Sequence, residues 1–130
     1  MMEKKILVIE DQKDSIQSAF DFANMIRFSG ELKFDYISKS QNIPYAELRD
    51  KYQMIFVDIT LADKSQKNGY GIIMDILHND WFDKNNIIVL TGNSQVREGL
   101  EQNGITESFE VVFKPTTFQK LIPIIEKYQM

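Results

Sequence analysis

The sequence predicts an α/β protein built on a doubly wound, five-stranded parallel sheet with helices on both faces. Three observations carry this. Four short runs, residues 6–9, 54–57, 87–90 and 111–113, are continuously apolar and rich in β-branched or aromatic side chains. Continuous rather than alternating apolarity marks strands buried on both faces, as in a parallel sheet. Segments with helical spacing separate these runs, and a chain of 130 residues is long enough to close one hydrophobic core.

Taken in order, Ile6, Leu7, Val8 and Ile9 open the first strand. Ile16, Ala19, Phe20, Ala23 and Ile26 then trace one face of a helix, with Gly30 placed to end it. A weaker strand follows at residues 33–37, where Phe34, Tyr36 and Ile37 alternate only in part. Tyr45, Leu48 and Tyr52 share one face of a short second helix. After the run at 54–57, Ile72, Ile73, Ile76 and Leu77 indicate a third helix. After 87–90, Val96 and Leu100 indicate a fourth that ends near Gly104. Beyond 111–113, Phe118, Leu121, Ile122, Ile125 and Tyr128 mark the fifth, with Thr116 or Thr117 available as its cap. Pro123 falls inside that helix and predicts a kink or a late start. Five alternating strand–helix units demand right-handed crossovers, and ligands in such sheets sit beyond the carboxyl ends of the strands.

Composition removes several functions. A formal charge of −4 with no Lys/Arg run argues against nucleic acid as a direct partner. The absence of cysteine excludes disulfides, thiolate metal sites and cysteine nucleophiles. Met1, Met2, Glu3, Lys4 and Lys5 look like the start of a signal peptide. The apolar run behind them is too short and ends at Glu10 and Asp11, so neither a signal peptide nor a membrane span is expected. The expectation is a cytoplasmic protein forming one domain over residues 1–130.

The residues just after the apolar runs form a chemically coherent set. Glu10 and Asp11 follow the first, with Asp14 a turn further on. Asp58 follows the third strand, with Ile59 and Thr60 behind it; Thr91 and Gly92 follow the fourth, and Lys114 and Pro115 the fifth. Three carboxylates gathered at one sheet edge repel unless a cation intervenes, and an oxygen-only donor set suits Mg²⁺. A carboxylate beside such an ion can attack phosphorus and form an acyl phosphate. The Lys114 ammonium and the Thr91 hydroxyl could then offset charge on the phosphoryl oxygens, with Gly92 leaving room.

On these residues the sequence resembles the receiver domains of two-component response regulators, over essentially the whole chain. That family carries an acidic pair after the first strand, an aspartate after the third, Thr or Ser after the fourth and Lys-Pro after the fifth. Glu10-Asp11, Asp58, Thr91 and Lys114-Pro115 match in order. The resemblance implies a flavodoxin-like (βα)5 sheet of strand order 2-1-3-4-5. It implies that Asp58 accepts a phosphoryl group from a sensor histidine kinase or a histidine phosphotransfer protein. Glu10, Asp11, Asp58 and the backbone carbonyl of Thr60 would bind Mg²⁺. Lys114 and Thr91 would act as switch residues on the phosphate. Such a domain is a signalling acceptor rather than a classical enzyme, a monomer or a weak phosphorylation-dependent dimer, passing its signal to a downstream protein.

Three features depart from the family pattern. The loop at 61–71 is long, charged and lacks the usual proline; it either moves freely or changes how a partner docks. Val111 stands three residues before Lys114, where the family often has an inward-turning aromatic, with Phe109 and Phe113 on either side. The chain ends just after the fifth helix, as a stand-alone receiver or as part of a longer protein. The alternative function is a phosphorylation-independent interaction module with the same fold. A flavin carrier is disfavoured because residues 10–13 lack a Gly-rich phosphate cradle, and an aspartate-nucleophile phosphatase because Thr60 stands where a second carboxylate is wanted. Several residues also have plainer readings. Asp58 could cap the following turn, Glu10 and Asp11 could favour a helix N-terminus, Thr91 could satisfy its own backbone, and Lys114 could be a solvated surface lysine. His78 reads as a surface residue, and Trp81, Phe82, Phe109 and Phe113 as packing.

Overall fold

The computed structural model describes residues 4–61 and 64–128. Its strands are β1 (Lys4–Ile9), β2 (Leu32–Ile37), β3 (Met54–Asp58), β4 (Ile87–Thr91) and β5 (Glu110–Phe113). Between and after them run α1 (Lys13–Arg27), α2 (Leu48–Lys51), α3 (Gly69–Asn79), α4 (Val96–Gln102) and α5 (Phe118–Tyr128). All pairings are parallel, in the order β2-β1-β3-β4-β5. The expected doubly wound sheet and its strand order are both present.

Successive strand residues face opposite sides, and both sides are covered, which is why the runs are apolar throughout. Leu7, Ile9, Ile55, Val57, Ile87 and Val89 pack with Leu48 of α2, Ile72, Ile73 and Ile76 of α3, and Val96 and Leu100 of α4. Ile6, Val8, Met54, Phe56, Ile88, Leu90 and Val112 pack with Ile16, Phe20 and Ala23 of α1 and with Leu121 and Ile125 of α5. Phe20 centres the second layer, its ring 5.1 Å from Phe34 and 5.0 Å from Phe56. With so many strand atoms buried, the polar groups at the strand ends are held on a rigid edge.

Several expectations need correction. Ile26 is 58% exposed. The buried stripe of α1 is Ile16, Phe20 and Ala23, and Ile26 lies beside it with exposed Phe22 and Met25. The second helix is four residues long; Tyr45 lies in a preceding 3-10 turn behind Pro44, and Tyr52 is already extended toward β3. The shared face survives: Tyr45 stacks on Trp81 at 4.7 Å, and the buried Tyr52 donates its hydroxyl to Asp35 at 2.7 Å. Phe109 is buried, but Phe113 is 46% exposed at the end of β5, the edge strand of the sheet. The fifth helix starts at Phe118 and continues through Pro123, whose ring is exposed, so the late start does not occur. The Thr117 carbonyl accepts the Leu121 N–H at 3.2 Å in the first turn of this helix, and the Thr116 hydroxyl is buried without a partner. Gly30 and Gly104 turn the chain out of α1 and α4 at φ of +72° and +78°, the left-handed region that favours glycine. His78 is exposed and Phe82 buried, as their sequence setting suggested.

Candidate functional site

β1 and β3 are neighbours in the sheet, with Ile9 opposite Val57, so Glu10 and Asp58 emerge side by side at the carboxyl edge. Glu10 extends the β1 ladder by one bond, its N–H donating to the Ile37 carbonyl at 3.0 Å. Asp58 closes a tight turn in which the Thr60 N–H donates to its Oδ1 at 3.0 Å. Both side chains are essentially buried. Asp11 joins them, and carboxylate oxygens of Glu10, Asp11 and Asp58 lie within 4.8 Å of one another. Asp14 is exposed in the first turn of α1 and is not part of this group.

The cation of the site comes from the far end of the chain. Lys114 Nζ stands 3.0 Å from Glu10 Oε2 and 3.0 Å from Asp58 Oδ2. It is positioned by its own backbone, whose N–H donates to the Thr91 carbonyl at 2.7 Å and so prolongs the β4–β5 ladder. The Lys114–Pro115 peptide is cis. Thr91 is buried on the same edge, one register step beyond Leu90, the partner of Asp58. Its hydroxyl accepts the Asn93 N–H at 3.0 Å, and Asn93 Oδ1 in turn accepts the Gln95 N–H at 2.9 Å. Four of the expected side chains thus form one cluster, and Thr91 borders it through the backbone. At Gly92 a Cβ would meet nothing within 4 Å, so the space there is open.

One ammonium against three carboxylates leaves an excess of negative charge. Burial pushes the Glu10 pKa above the usual carboxylate value, and the neighbouring Asp58 pushes the same way against the opposing pull of Lys114. Burial alone would lower Lys114. Its hydrogen bonds and attraction to Glu10 and Asp58 outweigh that, and its pKa is raised. The carboxylate edge therefore lacks positive charge. Its oxygen-only donors fit a hard divalent cation such as Mg²⁺, which binds through one or two carboxylates and keeps open positions for phosphate oxygens.

Two structural supports of the site were not anticipated. Gly69, at the start of α3, comes so close to β3 that its N–H donates to the Ile59 carbonyl at 2.9 Å, and a Cβ would stand 2.6 Å from Ile59 Cα. The described part of the long loop is tied to the turn after β2. The Ser40 N–H donates to Ser65 Oγ at 2.8 Å, the Lys67 N–H to Ser40 Oγ at 2.9 Å, and the Gln66 N–H to Gln41 Oε1 at 3.0 Å. Ala62 and Asp63 lie outside the described residues. The dipeptide Asn68-Gly69 signals a helix start, and Asn68 does cap α3 by accepting the Gly71 N–H at 3.0 Å. Its distance from Asp58 has no local signature.

No known family model matches the sequence, and no curated protein matches it. Solved structures do match over nearly the whole chain. A phosphorylated cyanobacterial phytochrome response regulator, RcpA, is 15% identical with a TM-score of 0.74, over 97% of this chain and 94% of that one. The chemotaxis protein CheY4 of Vibrio cholerae is 13% identical with a TM-score of 0.71, over 98% and 99%. The receiver domain of a Pseudomonas aeruginosa sensor histidine kinase, crystallised with magnesium coordinated in its active-site cleft, is 21% identical with a TM-score of 0.69, over 96% of each chain. Among the described residues no helix is long and apolar enough to cross a membrane. The chain has the fold of the receiver domains of two-component response regulators, with the sheet order 2-1-3-4-5.

Proposed function

We propose that this chain is a single receiver domain, residues 1–130, which accepts a phosphoryl group on Asp58 in a Mg²⁺-dependent phosphorelay. The observation that carries the reading is the Lys114 ammonium 3.0 Å from both Glu10 and Asp58, joining the third acid to the first pair from the opposite end of the chain. A partly exposed lysine held between two buried carboxylates is a costly arrangement for a structural site, and a useful one for binding an incoming anion.

In the proposed reaction a carboxylate oxygen of Asp58 attacks the phosphorus of a partner's phosphohistidine. The O–P bond forms, the P–N bond breaks, and the imidazole nitrogen keeps the electron pair and takes a proton from solvent. Glu10, Asp11, Asp58 and the Thr60 carbonyl are the residues that would hold Mg²⁺, which when bound neutralises charge on the phosphoryl oxygens. Lys114 follows the phosphoryl group as its second cation. The Thr91 hydroxyl, whose oxygen accepts the Asn93 N–H, turns to donate its proton to the phosphate, and this movement loosens the Thr91–Asn93–Gln95 chain of turn bonds ahead of α4. That route needs no aromatic at position 111, where Val111 is packed against the core. The donor is a sensor histidine kinase or histidine phosphotransfer protein, the receiver of the signal a protein downstream, and the setting cytoplasmic. The domain acts as a monomer or weak phosphorylation-dependent dimer.

Incubation with Mg²⁺ and acetyl phosphate tests the reading by intact mass. One added phosphoryl group, removed by hydroxylamine and absent from Asp58→Ala, is the expected result. No mass increase, or one that persists in Asp58→Ala, refutes it.

A further inference from the structure

The hydrogen-bonded tie between the loop after β3 and the turn after β2 is built largely from side chains that the proposed reaction does not use. Ser40 sits in a 3-10 turn (Ser40–Asn42) and is 3% exposed. Its backbone N–H donates to the Ser65 hydroxyl, the Ser65 hydroxyl donates to the Lys67 carbonyl at 2.7 Å, and the Lys67 N–H returns to the Ser40 hydroxyl. Gln41 adds two bonds, its amide donating to the Lys64 carbonyl at 2.9 Å and accepting the Gln66 N–H. Lys67 is held further by an ion pair with Asp75 of α3. In the sheet, β1 lies between β2 and β3, so the two joined loops flank the end of the strand that carries Glu10 and Asp11.

The loop leaves β3 through Asp58, Ile59 and Thr60 and rejoins the fold where Gly69 donates to the Ile59 carbonyl. A loop of this length closed only at its ends samples many orientations of its first peptide planes, and ordering them on binding costs affinity. Ties at Lys64, Ser65, Gln66 and Lys67 hold the described far half of the loop against the turn after β2, so fewer orientations remain for the peptide planes beside Asp58. We infer that Ser40 and Ser65 are positioning residues, which preorganise the loop after Asp58 so that the Thr60 carbonyl is presented to a divalent cation at Glu10, Asp11 and Asp58. This rests on the proposed reading of that acidic group as the Mg²⁺ site.

The test is Mg²⁺ affinity of the full, unphosphorylated chain by calorimetric titration, with thermal melts recorded without metal. Partners one shell outside a metal's ligands typically change affinity by about 10–100-fold, and these residues act one step further out, so Ser40→Ala should weaken Mg²⁺ by about three- to tenfold. Ser65→Ala removes the other two bonds of the tie, to the Ser40 N–H and the Lys67 carbonyl, and should weaken Mg²⁺ to a similar degree should Ser40→Ala fail to fold. Ser65→Thr keeps the hydroxyl and should restore the affinity. A merely structural role would lower the melting temperature and leave the Mg²⁺ affinity of the folded protein alone. Unchanged affinity in the folded alanine variants therefore overturns the inference while leaving the site intact. Absence of Mg²⁺ binding by the unsubstituted chain overturns the cation site, and this inference with it.

Discussion

Replacing Gly69 by alanine would put a methyl group where α3 meets the end of β3. The new Cβ would lie 2.6 Å from Ile59 Cα and 2.9 Å from the Asp58 carbonyl carbon, and closer still to the Asp58 carbonyl oxygen. Comfortable carbon–carbon contacts need about 3.5–4.0 Å, so the backbones must part by roughly 1 Å. No side chain can rotate away to absorb this, because every atom met is main chain. Overpacking of this kind costs about 1–3 kcal/mol, and the upper end applies. The smaller unfolded-state entropy of alanine returns about 0.4–1 kcal/mol. The net loss is about 2 kcal/mol. At about 2.1 cal/mol/K of unfolding entropy per residue, a chain of 130 residues loses about 4 °C per kcal/mol, or about 8 °C here. A thermal melt read by circular dichroism measures it. Gly99→Ala is the control: its Cβ would meet only the end of the Tyr70 side chain, which can swing aside. The gain of about 1 kcal/mol for alanine inside a helix offsets that movement, leaving stability within about 1 kcal/mol of the parent. A Gly69→Ala protein that melts at or above the parent temperature would refute the reasoning.

Asn68→Ala removes the side-chain acceptor for the Gly71 N–H and should cost about 1 kcal/mol in a urea melt, with the slope unchanged. Phe20→Ala empties the aromatic contact between Phe34 and Phe56 and should cost about 4 kcal/mol, measured by the same unfolding curve. The pH dependence follows from Glu10. Its folded pKa is raised above the ordinary carboxylate value of 4.5, so the native state binds that proton more tightly than the unfolded chain, and stability falls as pH rises from 4.5 through the folded value. Glu10→Gln should lack this fall, so its stability relative to the parent should increase between pH 4 and pH 7 in parallel melts. A constant difference would contradict the shift.

Much of the architecture is local information. The strand segments were legible because burial on both sheet faces leaves no polar alternation, as in Ile6, Leu7, Val8 and Ile9. The buried helix faces at Ile16, Phe20 and Ala23, at Ile72, Ile73 and Ile76, and at Leu121 and Ile125 were legible from their spacing. Ile26 and Phe113 misled for one reason: both are apolar, and their exposure depends on what lies opposite, which the periodicity of one element does not record. The four-residue second helix was overextended because Tyr45 and Tyr52 share its face without sharing its backbone.

The alternation of strands and helices, and the residue types left at each strand end, follow from the order of residues along the chain. Parallel topology brings such ends to one edge, so Glu10, Asp11, Asp58, Thr91 and Lys114 could be named as a group before any distance was known. Tertiary structure alone decided how they meet. The Lys114 ammonium divides its contacts between Glu10 and Asp58. The Thr91 hydroxyl bonds its own turn. Gly69 is pressed against the Asp58 backbone, and Ser40 ties the loop after Asp58 to the turn that follows β2. The Lys114 and Ser40 contacts join segments far apart in the chain, whose separation is set by packing and leaves no trace in local periodicity.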